Sequence, residues 1–136
     1  MMLAKDFMLN DVEYIVCDAT KGYAPRAAGI ELLAHRRYGI GADRVMVFTG
    51  TSEEPSFLLY AADGRELVPE KADYLVLAAY LGSEGIQPNV AEMVHALGDQ
   101  ALVAKSSLAP SFELHVTESF CKKLRALDRR AESLAS

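Results

Sequence analysis

The sequence predicts a mixed α/β (α+β) domain in which a curled mixed β-sheet wraps around a central, buried helix. Short runs rich in β-branched and aromatic residues, at 12–17, 45–48 and 57–60, predict strands. Segments with helical spacing of their apolar residues separate and follow these strands. The helical segment 74–81 is apolar on nearly every side, so we expect it to be buried all round. In a water-soluble domain, the strands on either side of this helix are its simplest cover.

The first predicted elements are a strand and a helix. The strand covers 12–17 and ends at Asp18, and a turn follows over 20–24. Pro25 suits the first position of a helix, because its missing N–H needs no partner there. Gly39 ends that helix. Its apolar stripe consists of Ala27, Ile30, Leu33 and Ala34.

Two short strands and the buried helix come next. A polar loop separates the strands at 45–48 and 57–60, and the Asp63-Gly64 pair forms a tight turn after the second strand. Pro69 opens the buried helix, and Gly82 is its expected C-cap.

The last part of the chain contains one ambiguous segment and two clear elements. Residues 89–105 fit either a helix or a pair of strands joined by a turn, and both alternatives stay open. Alternation of apolar and polar residues over 112–117 predicts a half-buried strand. Ser119 is the expected N-cap of a final amphipathic helix. The apolar stripe of that helix consists of Phe120, Leu124, Leu127, Ala131 and Leu134.

Composition and charge exclude several classes of function. A formal net charge of −5 in 136 residues, without a long Lys/Arg cluster, argues against a nucleic-acid-binding surface. The longest apolar run is far shorter than the roughly 20 residues of a membrane span, and the N-terminus has no signal pattern, so we expect a cytoplasmic location and no membrane contact. The three histidines, His35, His95 and His115, lack a ligand spacing, so we expect no metal site.

The two cysteines are too few for a disulfide framework and too far apart for a metal knuckle. Cys17 lies inside an apolar strand, where we expect a small core residue. Cys121 lies at a helix start, where a thiolate could be stabilised, so a reactive role stays open beside a packing role.

The most informative stretch is HRRYGIGADRVMVF at 35–48. Its glycines precede a strand rather than open a helix, so they form a turn and not a phosphate loop. The stretch resembles the Asp-Arg-Arg-Phe-Gly-Ile-Gly-Ala-Asp-Gly signature of diaminopimelate epimerases. The segment 60–64 resembles that family's Tyr/Phe-Asn-Ala-Asp-Gly turn, and Asn10-Asp11 resembles its Gly-Asn-Asp-Phe entry into a strand ending in Asp-Ala. The resemblance spans roughly residues 2–120, with the motifs in the family's order.

This resemblance implies a fold of two similar α/β halves, each a sheet curled around a central helix, with the active site between them. Residues 1–118 would form one such half-domain, and residues 119–136 a C-terminal amphipathic helix that is a candidate interface. The resemblance also implies an isomerase of lysine biosynthesis that works without a cofactor. In that family two cysteines, one from each half, act as base and acid at an amino-acid α-carbon. Backbone donors at helix N-termini hold the substrate carboxylate.

The departures from the family pattern fall on the chemistry. Glu70 stands at the position of the catalytic cysteine, and Lys-Ala-Asp at 71–73 replaces the family's Gly-Asn-Gly. Ala61 replaces the substrate-holding asparagine, and Arg44 stands after Gly-Ala-Asp. Among the expected substrate contacts, only Asn10 is retained. The helix dipole favours the anionic form of Glu70 and weakens it as a base, so we predict no catalytic residue in this chain.

The candidate substrate-binding residues are Asn10, Arg44, Glu70 and Lys71. Two of them have a structural alternative, in which Asn10 is only a turn residue and Glu70 is only a charge in the first turn of a helix. Lys71 and Asp73 are expected to be solvated, as charges at a helix entry usually are.

Two functions follow as expectations. The first is a diaminopimelate-epimerase-like pseudoenzyme, without two-cysteine activity as a lone chain, that acts as a binding or interaction module for an amino-acid-like small ligand. The alternative is a cofactor-independent amino-acid racemase or epimerase whose site is completed by a second chain. In either case we expect a homodimer or a second-half partner chain. The contact would use the apolar face between halves or the stripe of the last helix.

Overall fold

The computed structural model of the protein describes residues 2–50, 56–85 and 110–135. The ambiguous segment 89–105, which contains His95, lies outside the described residues. In chain order the elements are β1 (Met2–Leu9), β2 (Val12–Asp18), a short 3-10 helix (Ala19–Lys21), α1 (Ala27–Leu33), β3 (Arg44–Phe48), β4 (Phe57–Ala61), α2 (Lys71–Ser83), β5 (Phe112–Val116) and α3 (Glu118–Ala135).

The five strands form one mixed sheet in the order β4-β3-β2-β1-β5. β1 is antiparallel to both β2 and β5, β2 is parallel to β3, and β3 is antiparallel to β4. A parallel pair needs a crossover connection, and α1 lies in the connection between β2 and β3. The register places Tyr14 opposite Arg44 and Arg44 opposite Ala61. The starts of β2 and β3, the end of β4 and the β1–β2 turn therefore share one end of the sheet.

Helices cover both faces of this sheet. Successive strand residues point to opposite faces, so the strands supply apolar side chains to both. One face packs against α1 and α3, and the other packs against α2. The predicted mixed α/β (α+β) class is confirmed, since the described residues form a five-stranded mixed sheet with three α-helices. The core on the α1–α3 side includes Ile15, Cys17, Ile30, Leu33, Val45, Cys121 and Leu124. The core on the α2 side includes Phe7, Val16, Met46, Val76, Leu77, Tyr80 and Leu81.

The central helix α2 is buried as its sequence predicts. Every residue of the segment 76–81 is at most 2% exposed. Val76, Leu77, Tyr80 and Leu81 contact the sheet, whereas Ala78 packs with Tyr74 and Leu75 in a separate apolar cluster. None of the helices in the described residues combines the length and the apolar character needed to cross a bilayer.

The strand β1 is an element that the sequence patterns did not reveal. It lies in the interior of the sheet between β2 and β5, yet it carries Lys5 and Asp6 at its centre. Both side chains are buried, Lys5 at 9% and Asp6 at 1% exposure. Two adjacent charges conceal the apolar character of a strand, because an interior strand normally avoids them.

The helix ends differ from those predicted, by about two residues at most ends and by six at the end of α1. α1 begins at Ala27 rather than Pro25 and ends at Leu33, before Gly39. α2 begins after Glu70 and runs past Gly82 to Ser83, because Gly85 and not Gly82 has the left-handed φ of +72°. α3 begins at Glu118, and Thr117 rather than Ser119 lies before its first turn, accepting the N–H of Phe120 at 3.3 Å.

The buried face of α3 is rotated relative to the predicted stripe. Cys121, Leu124 and Asp128 are buried, whereas Leu127 is 36% and Leu134 is 79% exposed. Asp128 is buried because its carboxylate accepts the N–H groups of Arg26 and Gly29 at 2.9 and 2.8 Å, at the start of α1. A carboxylate of α3 thus caps α1 from a distant position in the sequence.

The Gly-Ile-Gly-Ala-Asp segment at 39–43 is a turn between α1 and β3, as predicted. Its N–H groups at Ile40 and Ala42 bind the carbonyls that end α1. A Cβ on Gly39 would lie 1.9 Å from the carbonyl oxygen of Leu32, and Gly41 has a φ of +92°. Both positions therefore require glycine for reasons of backbone packing and conformation.

Candidate functional site

The candidate site centres on Asp73, in the first turn of α2. Its side chain is fully buried. One carboxylate oxygen, Oδ1, accepts the hydroxyl of Tyr14 at 2.7 Å and Nη1 of Arg44 at 2.8 Å. The other, Oδ2, accepts the backbone N–H of Glu70 at 2.8 Å and lies 3.0 Å from Nη1 of Arg44. Both oxygens of the Asp73 carboxylate therefore accept hydrogen bonds from groups of the protein.

The sheet positions the two side chains that hold Asp73. Tyr14 and Arg44 are direct partners on the parallel strands β2 and β3, so their side chains project from the same face of the sheet. That face is the one covered by α2. The register of the β2–β3 pair thus sets the geometry of the cluster, and the first turn of α2 supplies the carboxylate.

The prediction that Asp73 is solvated is wrong. The side chain enters the protein because a strand tyrosine and a strand arginine, neither adjacent to it in sequence, provide donors for both oxygens. It also satisfies the N–H of Glu70, one of the donors that the start of a helix leaves without an intrahelical partner. In the sequence, Asp73 lies three residues after Glu70, the residue that precedes the helix. This is the spacing of a capping box.

Three of the four predicted binding residues lie at the start of α2 or in the cluster beside it, and the fourth lies apart. Arg44 belongs to the cluster, and its side chain is 31% exposed. Glu70 and Lys71 are exposed at the start of α2. Asn10 lies apart in the β1–β2 turn, where Asn10 and Asp11 have φ values of +52° and +64°. No hydrogen bond or ion pair within the described parts of the chain joins Asn10 to the other three.

The electrostatics of the cluster favour a charged Arg44 and a neutral Tyr14. Burial, together with the hydrogen bond to Asp73, raises the pKa of the Tyr14 phenol. Partial burial would lower the pKa of the Arg44 guanidinium, but the hydrogen bond and the charge of Asp73 outweigh it, so this pKa rises. Glu70 contributes to that rise through its charge. The arrangement is a paired charge with a neutral donor, and it has no free base at its centre.

The two thiols lie away from this cluster. Cys17 and Cys121 are both fully buried in the core between the sheet and the α1–α3 layer, on the face opposite α2. Burial raises the pKa of the Cys17 thiol to about 12. The prediction that Cys17 is a core residue is confirmed, and the buried position of Cys121 leaves it no access to a ligand.

A second polar cluster, at the C-terminal end of α2, was not predicted. Lys5 of β1 donates to the hydroxyl of Ser83 at 2.9 Å and pairs with Glu84 at 3.1 Å, and Lys21 pairs with Glu84 at 2.6 Å. The Tyr80 hydroxyl donates to Asp18 at 2.5 Å. Each cation here faces a carboxylate. The cluster therefore anchors the end of α2 to the sheet, and its charges are already compensated.

The described residues contain no group of three or more His, Cys, Asp or Glu side chains arranged to hold a metal ion. Comparison of the chain with models of known protein families and with curated proteins finds no match. The resemblance to diaminopimelate epimerases therefore stays a prediction that rests on the motifs at 10–11, 35–48 and 60–64.

Proposed function

We propose that this chain is a diaminopimelate-epimerase-like domain that lacks two-cysteine epimerase activity and acts as a binding or interaction module. One observation carries the proposal. An epimerase-like site needs free N–H donors at the start of its central helix to hold a substrate carboxylate. Here the carboxylate of Asp73 accepts the Glu70 N–H and takes Arg44 as its ion-pair partner. In the proposed interpretation, the Asp73 side chain makes the contacts that a substrate carboxylate would make in an epimerase.

The position of the thiols supports the same proposal. A general base works best when its pKa is near the operating pH, whereas the pKa of the buried Cys17 thiol is about 12. Neither Cys17 nor Cys121 lies on the α2 side of the sheet. Glu70, which stands at the family cysteine position, is exposed at the N-cap of α2.

The exposed charges at the start of α2 suggest the class of ligand. Glu70 and Lys71 are exposed next to each other, and Arg44 is partly exposed behind them. Charges of both signs at one end of a sheet suit a zwitterionic, amino-acid-like molecule. Binding there would use the rim of the cluster and would leave the Asp73 contacts in place.

The test is exchange of the α-proton for deuterium in diaminopimelate and other amino acids, followed by NMR in D2O. We expect no exchange above the protein-free rate, either with the chain alone or with a candidate partner chain. The matched variants are Glu70→Ala and Lys71→Ala, which are adjacent and both exposed. Exchange by the wild type that disappears in Glu70→Ala and persists in Lys71→Ala would contradict the proposal. That result would favour the racemase or epimerase completed by a second chain.

The interaction half of the proposal concerns the outer face of α3 and a second copy of this chain. Leu127 and Leu134 are exposed on that helix, and five of its side chains are basic whereas three are acidic. The whole chain has a formal net charge of −5, so the rest of the protein is acidic and complementary to α3.

Light scattering at micromolar concentration tests this pairing. We expect a dimer that Leu127→Ser weakens and Leu58→Ser does not, because Leu58, 39% exposed on β4, is a comparably exposed leucine on another element. A monomeric wild type, or equal effects of the two substitutions, would exclude pairing through α3.

A further inference from the structure

We propose that Asp6 and Glu13 share one proton in the folded protein, and that release of this proton loosens this end of the β1–β2 pair and the segments bound to it, through repulsion between the two carboxylates. The two carboxyl groups lie on adjacent antiparallel strands, β1 and β2. The site is separate from the Asp73 cluster, since it lies on the face of the sheet that α1 and α3 cover. This inference does not depend on any epimerase relationship.

The geometry of Asp6 requires a proton. Asp6 is 1% exposed, and its buried Oδ2 accepts no hydrogen bond from the residues that the structure describes. Its carboxyl group is nevertheless in contact with that of Glu13, diagonally across the β1–β2 pair. Two carboxylates can only accept hydrogen bonds, so they cannot satisfy each other. One proton on Asp6 turns the contact into a donor–acceptor pair and leaves no buried oxygen without a partner.

The surrounding groups compensate a second negative charge only in part, because the Arg36 charge and the Ser111 hydroxyl favour an ionised Asp6 less strongly than burial and Glu13 oppose it. In the described parts of the chain, the cation that faces the pair is Arg36, in the segment between α1 and β3. Its Nη1 binds Glu13 at 2.6 Å and its Nη2 binds Asp43 at 3.1 Å. Glu13 and Asp43 therefore already share one guanidinium. From the segment before β5, Ser111 contributes a hydroxyl.

The neighbouring Lys5 and Glu113 lie on the other face of the sheet. There they form an ion pair with each other, and Lys5 also pairs with Glu84 at the end of α2.

The pKa values of Asp6 and Glu13 move apart, as expected for two groups that share a proton. Burial, followed by the hydrogen bond and the charge of Glu13, raises the pKa of Asp6 from 3.8 to about 7, and these causes outweigh the Ser111 hydrogen bond and the Arg36 charge, which lower it. The hydrogen bonds from Asp6 and Arg36 outweigh burial and lower the pKa of Glu13. Asp6 is the group that holds the proton, and it loses that proton in the physiological range.

Two backbone hydrogen bonds join Asp6 and Glu13 to the segments that precede β5 and β3. The N–H of Ser111 donates to the Asp6 carbonyl at 2.7 Å, and the N–H of Asp43 donates to the Glu13 carbonyl at 2.9 Å. The residues that follow Glu13 and Asp43 are Tyr14 and Arg44, which hold Asp73 on the opposite face. A second charge at this end of the sheet therefore acts on the start of β5 and on the strands of the candidate site together.

The first test is the pH dependence of urea unfolding in the wild type and in Asp6→Asn, with Asp11→Asn as the control. Asp11 is an exposed carboxylate of the same hairpin. A carboxyl whose folded pKa is raised stabilises the fold at low pH, and that contribution disappears as the pH rises through the folded value. Between pH 5 and 7 we expect the unfolding equilibrium constant of the wild type to rise by up to about tenfold per pH unit relative to Asp6→Asn. Asp11→Asn should follow the wild type.

Parallel pH profiles for the wild type and Asp6→Asn would overturn the proposal. Should Asp6→Asn fail to fold, the carboxyl carbon resonances of the wild type decide the question. An Asp6 resonance that titrates near pH 7 supports the shared proton, and one that titrates below pH 5 excludes it.

Amide hydrogen exchange, corrected for its intrinsic pH dependence, then tests the loosening. Protection of the Ser111 and Asp43 amides should fall between pH 6 and 8, while that of the Met46 amide in β3 stays constant. Constant protection at all three amides would overturn the second half of the proposal.

Discussion

Replacing Asp73 with alanine is the sharpest test of the cluster at the start of α2. The substitution removes the acceptor of three donors, namely the Tyr14 hydroxyl, the Arg44 guanidinium and the Glu70 N–H. A buried hydroxyl left without a partner costs about 1–3 kcal/mol, and a lost helix cap costs about 1 kcal/mol. Breaking a fully buried ion pair costs about 3–5 kcal/mol. The Arg44 side chain is 31% exposed, so it can turn to water and its share is smaller. Together these terms predict a loss of about 4 kcal/mol in the free energy of unfolding.

Such a loss is a large fraction of the roughly 5–15 kcal/mol by which domains are stable. It corresponds to a fall of roughly 15 °C in Tm for a domain of this size. The chain has no tryptophan, so urea unfolding is best followed by far-UV circular dichroism. Asp73→Asn keeps the shape and two acceptor contacts but loses the charge, so we expect about half the effect. Lys71→Ala, which changes an exposed charge two residues earlier, should alter the stability by less than about 0.5 kcal/mol.

The double-mutant cycle of Tyr14→Phe and Asp73→Ala separates the hydrogen bond from the burial of the two side chains. If Asp73 is the acceptor of Tyr14, the two losses should be smaller together than their sum, with a coupling energy of about 1 kcal/mol. Additive losses, or an Asp73→Ala protein within about 0.5 kcal/mol of the wild type, would refute the argument that this carboxylate anchors α2 to the sheet.

Three further predictions concern the packing around the site. Asp128→Ala should lower the unfolding free energy by about 2 kcal/mol in urea titrations, because two N–H groups at the start of α1 lose their acceptor; no change would mean that α3 does not cap α1. Gly39→Ala should cost about 3 kcal/mol by the same assay, since its Cβ would lie 1.9 Å from a backbone carbonyl oxygen, and a neutral substitution would exclude this turn geometry. Both thiols should resist Ellman's reagent at pH 8 in the folded protein and react in denaturant, because both are fully buried; fast reaction of either in the native state would contradict their placement.

Patterns of period two and period 3.6 were sufficient to predict most of the architecture. The strands at 12–17, 45–48 and 57–60 agree with β2, β3 and β4 to within one residue at each end. The all-round apolar character of 74–81 correctly predicted the burial of 76–81, whereas Tyr74 and Leu75 are only half-buried. These elements were predictable because each has an apolar pattern of its own, and the burial of that pattern is the main driving force of folding.

β1 escaped prediction because only the fold brings Lys5 and Asp6 to the groups that they contact. Lys5 finds Glu84 and Ser83 at the end of α2, and Asp6 finds Glu13 on β2. Ser83 and Glu84 are far from Lys5 in sequence. Glu13 is near Asp6 only because the two lie on the strands of one hairpin. A local pattern counts Lys5 and Asp6 as solvated polar residues, whereas the fold places them on opposite faces of an interior strand. Burial of this kind depends on tertiary partners, which the pattern does not contain.

Two aspartates cap helices, one from within the same helix and one from a helix distant in sequence. Asp73 caps α2 from within the same helix, so its spacing from Glu70 was visible in the sequence, although its burial was not. Asp128 caps α1 from α3, and the contact depends on Gly29, where a Cβ would lie 2.7 Å from the Asp128 carboxylate. A glycine inside a seven-residue helix normally weakens it, since glycine is a poor helix former. Here its missing side chain lets a second helix approach and supply the cap. The same carboxylate explains why the predicted stripe of α3 is rotated. The helix turns Asp128 inward to reach α1, and Leu127 and Leu134 are left on the surface.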